Sequence, residues 1–188
     1  LGGDERIYPA SMTKIMTALL TIENLPDLNE TITVPEDIFE ELTAQDASVA
    51  GFNPYEQPTV RDLLYGVLLP SGADACETLA RAVGGSEEGF VAMMNQKAEE
   101  LGLTNTHFEN CTGLHNDNHY STCRDIAVLM SECLKSDTFR EIVTREVYTT
   151  EATASHPEGI TLYDTMLHRF TSYEMSTTLE NGAVIEGG

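Results

Sequence analysis

One helix-rich folded domain with a few short strands is what this sequence predicts, on three observations. Apolar residues recur at helical spacing along several segments, and short runs of β-branched residues fall between them. In addition, 41% of the 188 residues are hydrophobic, with no internal repeat and little low-complexity sequence, so one sizeable domain with a packed core is expected.

The first element is the most informative. In Tyr8-Pro9-Ala10-Ser11-Met12-Thr13-Lys14 the proline favours an extended approach. Ile15, Met16, Leu19 and Leu20 then keep helical spacing, which predicts a helix beginning near Ser11. Ser11 and Lys14 would lie one turn apart on the same face. A serine hydroxyl needs a base to take its proton, and a lysine partly withdrawn from water can hold the neutral amine required. Unpaired N–H groups at the helix amino end suit a developing oxyanion. The alternative is a capping serine followed by a solvated lysine.

Thr31-Ile32-Thr33-Val34 predicts a small edge strand. Pro35 with the acids Glu36 and Asp37 predicts a short helix over residues 35–42. Thr59 and Asp62 read as a reciprocal cap for a central helix carrying Leu63, Leu64, Val67, Leu68 and Leu69. Pro70 stops it, Ser71-Gly72 makes a tight turn, and a further helix runs over residues 73–83. The polar turn is thereby expected between two buried helices. Phe90, Val91, Met94, Ala98 and Leu101 give a helix over residues 86–101, with Met93 and Met94 as core filler. Residues 104–120 lack periodicity and read as an ordered loop holding His107, His115 and His119, each expected at the surface or hydrogen-bonded. Helices are predicted from Thr122, which pairs with Asp125, to about Lys135, and over residues 137–143. Residues 146–150 alternate like a strand, and 161–170 are ambiguous.

The net charge of −21, from 31 acidic against 10 basic residues, argues against nucleic acid or an anionic membrane surface as a partner. Cys76, Cys111, Cys123 and Cys133 are too few and too irregular for a disulfide scaffold, and no C-x-x-C or His/Cys cluster points to a metal. Cys123 and Cys133 are expected to be buried apolar residues of a helix, with a Cys111–Cys123 bridge as the less favoured alternative.

Four stretches, in this order and spacing, resemble the serine D-alanyl-D-alanine carboxypeptidases, the low-molecular-mass penicillin-binding proteins. They are Arg6-Ile7-Tyr8-Pro9-Ala10-Ser11-Met12-Thr13-Lys14, Thr59-Val60-Arg61-Asp62-Leu63-Leu64-Tyr65-Gly66, Leu68-Leu69-Pro70-Ser71-Gly72-Ala73-Asp74-Ala75, and Asn110-Cys111-Thr112-Gly113-Leu114 with His119-Tyr120-Ser121-Thr122. The resemblance runs nearly end to end. It implies an α+β fold, a helical cluster packed on an antiparallel sheet, with the site between them and three motifs, S-x-x-K, S-x-N and K-T-G. By resemblance Ser11 is the acylated nucleophile, Lys14 its general base and Ser71 the proton relay to the leaving amine. Gly72 and Ala73 then fall at the substrate-binding positions of the second motif. Ala73 replaces the usual asparagine there, with Asp74 or a water as the expected stand-in. The segment Ala183-Val184-Ile185-Glu186-Gly187-Gly188 resembles the approach to the K-T-G strand, and no K-T-G follows. Residues 1–188 are therefore expected to form a single, partial transpeptidase-like domain with sheet strands missing at both ends.

The function implied is removal of the terminal D-alanine of a peptidoglycan stem peptide through an acyl-enzyme, with β-lactams acylating the same atom. No cofactor or metal is expected, and the place implied is extracytoplasmic. Relatives often carry a membrane anchor outside this region. Two other readings are a class A-like β-lactamase and a penicillin- or peptidoglycan-sensing domain with weakened catalysis. Near Glu109 there is no glutamate followed by the leucine-asparagine pair that would position a deacylating water, which counts against the first. Ala73 favours the second.

Overall fold

The structure, a computed structural model, describes residues 2–166 and the strands Ser176–Thr178 and Val184–Glu186. Strand β1 (Arg6–Ile7) leads through a 3₁₀ turn (Ala10–Thr13) into α1 (Lys14–Asn24). Then come α2 (Ile38–Ala44), α3 (Val60–Leu68), α4 (Ala73–Gly84) and α5 (Glu87–Glu100). Strand β2 (Ser121–Thr122) precedes α6 (Cys123–Cys133) and α7 (Asp137–Val143), followed by β3 (Val147–Thr149), β4 (Thr161–Tyr163), β5 (Ser176–Thr178) and β6 (Val184–Glu186). The strands form antiparallel pairs β1–β2, β3–β4 and β5–β6. This is the α+β arrangement expected, helices packed with a small, open antiparallel sheet.

Helices α1, α3 and α4 pack on one another at the centre, with α5 on α4. Every residue of α1 from Lys14 to Thr21 is buried, so its two inward threonines must find partners. Thr17 Oγ1 donates to the Cys111 carbonyl at 2.7 Å and Thr21 Oγ1 to the Thr17 carbonyl at 2.8 Å. Helix α3 begins on a reciprocal cap: the Asp62 N–H donates to Thr59 Oγ1 at 3.1 Å, and the Thr59 N–H donates to Asp62 Oδ2 at 3.1 Å. Ser86, Thr122 and Ser136 cap α5, α6 and α7 by accepting from the N–H three residues on.

Three expectations change. Thr31-Ile32-Thr33-Val34 forms only a bridge between Thr31 and Thr59, with Ile32 N–H donating to the Pro58 carbonyl and Val34 N–H to that of Glu56. Pro58 has no N–H to return, so the ladder stops. Cys123 is exposed as the first residue of α6, whereas Cys133 is buried as expected. All four cysteines are free, which removes the Cys111–Cys123 bridge. In the ambiguous run, residues 161–163 are strand β4, while 167–170 lie outside the described residues, as do Ala183, Gly187 and Gly188. Among the described residues no helix is long and apolar enough to cross a membrane.

Candidate active site

Ser11 sits in the 3₁₀ turn and Lys14 is the first residue of α1, so the short step between them brings their side chains together. Lys14 Nζ donates to Ser11 Oγ at 3.3 Å and to the Thr112 carbonyl at 2.6 Å, and the lysine is only 5% exposed. The amine is therefore fixed between the hydroxyl and a backbone oxygen instead of reaching solvent. The Thr112 carbonyl is itself held by a local turn. Asn110 Oδ1 accepts from the Gly113 N–H at 2.7 Å and from Thr112 Oγ1 at 3.3 Å, and Asn110 Nδ2 donates to the Leu114 carbonyl.

Gly113 closes this arrangement against the nucleophile. Its φ is +85°, and a Cβ placed there would lie 1.9 Å from the Ala10 carbonyl oxygen and 3.1 Å from the Ser11 nitrogen. Gly113→Ala should therefore push the 110–114 turn off the Ser11 segment and lower the acylation rate by more than about tenfold, a barrier increase of roughly 1.4 kcal/mol or more. Gly85→Ala is the control: its φ is +76° but nothing lies within 4 Å, so only the backbone cost of about 1 kcal/mol is expected. Acylation kinetics with a fluorescent penicillin, alongside thermal melts, separate the two effects.

Ser71 ends the connection from α3 to α4. It adopts a left-handed φ of 64°, uncommon for a residue with a Cβ and the kind of local strain found at functional positions. Its Oγ is buried without a hydrogen-bond partner among the described residues. Ser11, Lys14 and Ser71 line one cleft of about 680 Å³, walled by Ser48, Leu68, Met130, Phe139 and Val143 among others. Gly72 and Ala73 do not line it. A Cβ on Gly72 would meet Ala50 and the Asp74 carboxylate at under 3 Å. Ala73 is 2% exposed and donates its N–H to the Ser48 carbonyl at 2.7 Å.

Asp74 cannot stand in for the missing asparagine. Its buried carboxylate accepts the N–H groups of Ala50, Gly51, Phe52 and Ala75 at 2.7, 2.9, 3.1 and 2.9 Å. It ties residues 50–52 to the start of α4, a role with no signal in the local sequence.

His119, 2% exposed, links the 104–120 loop to the turn carrying the nucleophile. Its Nδ1 accepts the Glu109 N–H at 3.1 Å, and a backbone N–H can only donate, so the ring proton lies on Nε2, which donates to Thr13 Oγ1 at 2.7 Å. Burial pulls this histidine down to about 4, against an opposing contribution from Glu109. The unfolded state thus takes up a proton near pH 6.5 that the folded state refuses until about 4. The associated stability is complete above pH 6.5 and lost on acidification through that window, up to about 3 kcal/mol. Urea unfolding of wild type and His119→Gln at pH 7 and pH 4.5 should show the larger acid loss in wild type.

A family model described as D-alanyl-D-alanine carboxypeptidase matches residues 2–172. The chain belongs to this family. Among curated members it is 41% identical over 151 residues to D-alanyl-D-alanine carboxypeptidase DacF of Bacillus subtilis, covering 80% of this chain and 39% of that protein. It is 38% identical over 154 residues to the D-alanyl-D-alanine carboxypeptidase of Streptomyces sp. strain K15, covering 78% and 53%. The chain thus spans well under two thirds of the length of these relatives. Among solved structures it is similar to a variant of the Streptomyces K15 DD-transpeptidase (TM-score 0.82, 34% identity, 98% of this chain and 74% of that one). Penicillin binding protein 6B from Escherichia coli is also similar (TM-score 0.76, 29% identity, 86% and 51%). The penicillin-binding, transpeptidase-like fold implied by the sequence motifs is therefore the fold of this chain.

Proposed function

We propose that this chain supplies the nucleophile, base and relay of an extracytoplasmic serine D-Ala-D-Ala carboxypeptidase, as part of one peptidase domain spanning residues 1–188. The observation that carries the reading is the buried Lys14 amine held between Ser11 Oγ and the Thr112 carbonyl, beside a cleft that Ser71 also lines. As Ser11 Oγ attacks the carbonyl carbon of the penultimate D-alanine, Lys14 takes the hydroxyl proton. The peptide C–N bond then breaks, and the Ser71 hydroxyl relays the proton, giving its own to the departing amine of the terminal D-alanine and taking the one held by Lys14, which returns to the neutral amine. Water attack on the Ser11 ester completes the cycle. The apolar wall of Leu68, Met130, Phe139 and Val143 would exclude water while the ester forms. A β-lactam presents the same kind of carbonyl to the same oxygen.

The test is release of D-alanine from a peptide ending in D-Ala-D-Ala by the intact protein. Release that Ser11→Ala abolishes supports the proposal, and release unchanged in that variant rejects it. Fast nitrocefin turnover would favour a β-lactamase instead. Ala73, which brings no polar side chain to the cleft, favours a second reading: a domain that is acylated but turns over weakly. Ala73→Asn decides between them, because D-alanine release appearing only in that variant supports the sensing domain, and equal release in both supports the peptidase.

A further inference from the structure

A second, acidic cavity of about 230 Å³ is lined by Asn110 and Thr112 of the loop, by Glu41, Glu77, Glu87 and Glu109, and by Arg81. At its wall α4, α5 and the loop bring three donor side chains together: Glu77 and Glu87 line the cavity, and Cys111 is fully buried beside them. Glu77, Glu87 and Cys111 each offer an atom within 4.8 Å of the others. Cys111 Sγ lies 3.4 Å from Glu77 Oε1, and the Cys111 N–H donates to Glu87 Oε1 at 3.2 Å.

One atom of this group lacks a hydrogen bond. Glu77 is 8% exposed, and its Oε2 is buried with no hydrogen-bond partner. Arg81 reaches this oxygen only as a long ion pair, its Nε 3.8 Å away and too far for a hydrogen bond, while its Nη1 is held by Asp37 at 2.6 Å. A buried carboxylate oxygen facing a second carboxylate and a sulfur calls for a cation or a proton.

We propose that Glu77, Glu87 and Cys111 form a divalent-cation site of the zinc type. The donor set decides the metal class. A sulfur ligand is foreign to calcium and magnesium, which take oxygens, and two carboxylates with one cysteine suit Zn²⁺ with water as a fourth ligand. Tetrahedral zinc with bonds of about 2.0–2.3 Å separates its ligands by about 3.3–3.8 Å. The Cys111–Glu77 pair already has that spacing, and a Glu87 oxygen lies within 4.8 Å of both. Forming the Zn–S bond displaces the Cys111 thiol proton to solvent.

The experiment uses untagged intact protein carrying Cys123→Ser, which removes the exposed thiol, stripped with a chelator and titrated with Zn²⁺ against a chromophoric competitor. One equivalent is expected to bind, and Glu87→Gln and Cys111→Ser should each weaken it more than about tenfold with circular dichroism unchanged. Co²⁺ added to the same parent protein should give a thiolate-to-cobalt charge-transfer band, a readout independent of how the variants fold. No saturable binding by the parent, binding by either variant as tight as the parent's, or a cobalt spectrum without the thiolate band would each overturn the assignment.

Discussion

Lys14→Met is expected to slow acylation of Ser11 by about two to four decades, the usual contribution of a positioned general base, while the protein stays folded. Methionine matches the buried volume of the lysine stem and can occupy the same path along α1. It cannot take the Ser11 proton, and it leaves the Thr112 carbonyl without the 2.6 Å bond it now accepts. The unpaired carbonyl costs about 1–3 kcal/mol, so a lower melting temperature should accompany the slower chemistry. Rapid-quench acylation by a labelled penicillin separates the two, because saturating antibiotic reveals the rate constant independently of the fraction folded. Lys14→Arg should fail almost as badly. A guanidinium keeps the charge but does not give up its proton at working pH.

Asp74→Ala is expected to destabilise the protein by about 3–5 kcal/mol, since several buried N–H groups lose their acceptor at once. Those of Ala50, Gly51 and Phe52 lie on a segment more than twenty residues away in sequence, and that of Ala75 lies in the first turn of α4. The loss should reach the site as well. Residues 48–52 pack on the Ser71–Gly72 bend through the Ala50 contact with Gly72 and the Ala73 bond to the Ser48 carbonyl. Once the segment loosens, the Ser71–Gly72 bend loses both of these contacts and keeps only weaker support through the Gly72 N–H bond to the Gly66 carbonyl. Asp74→Asn retains one acceptor oxygen and should fall between wild type and alanine in both urea unfolding and acylation rate.

These two residues also mark where the sequence was readable. Helix starts were, because their signals are local: Thr59 with Asp62, or Thr122 with Asp125, satisfy their own N–H groups within one turn. The Ser11/Lys14 pair was readable for the same reason, being three residues apart. The partner that fixes the amine was not, because the Thr112 carbonyl is a backbone group that no residue type announces. His119 reaches Thr13 across 106 positions, and its own sequence neighbourhood says only that it lies in a loop. Asp74 beside an alanine at the asparagine position invited a role in the cleft, whereas its bonds run to residues 50–52. Strand prediction failed at residues 31–34 because the deciding residue, Pro58, lies on the opposite segment. Burial of Cys123 failed because a helix's first residue can face either way.

Intact-mass analysis after benzylpenicillin treatment, followed by peptide mapping, addresses the nucleophile directly. One covalent penicilloyl adduct on the peptide containing Ser11, absent from Ser11→Ala, is the expected result. An unmodified wild type, or an adduct that survives undiminished in Ser11→Ala, would contradict it.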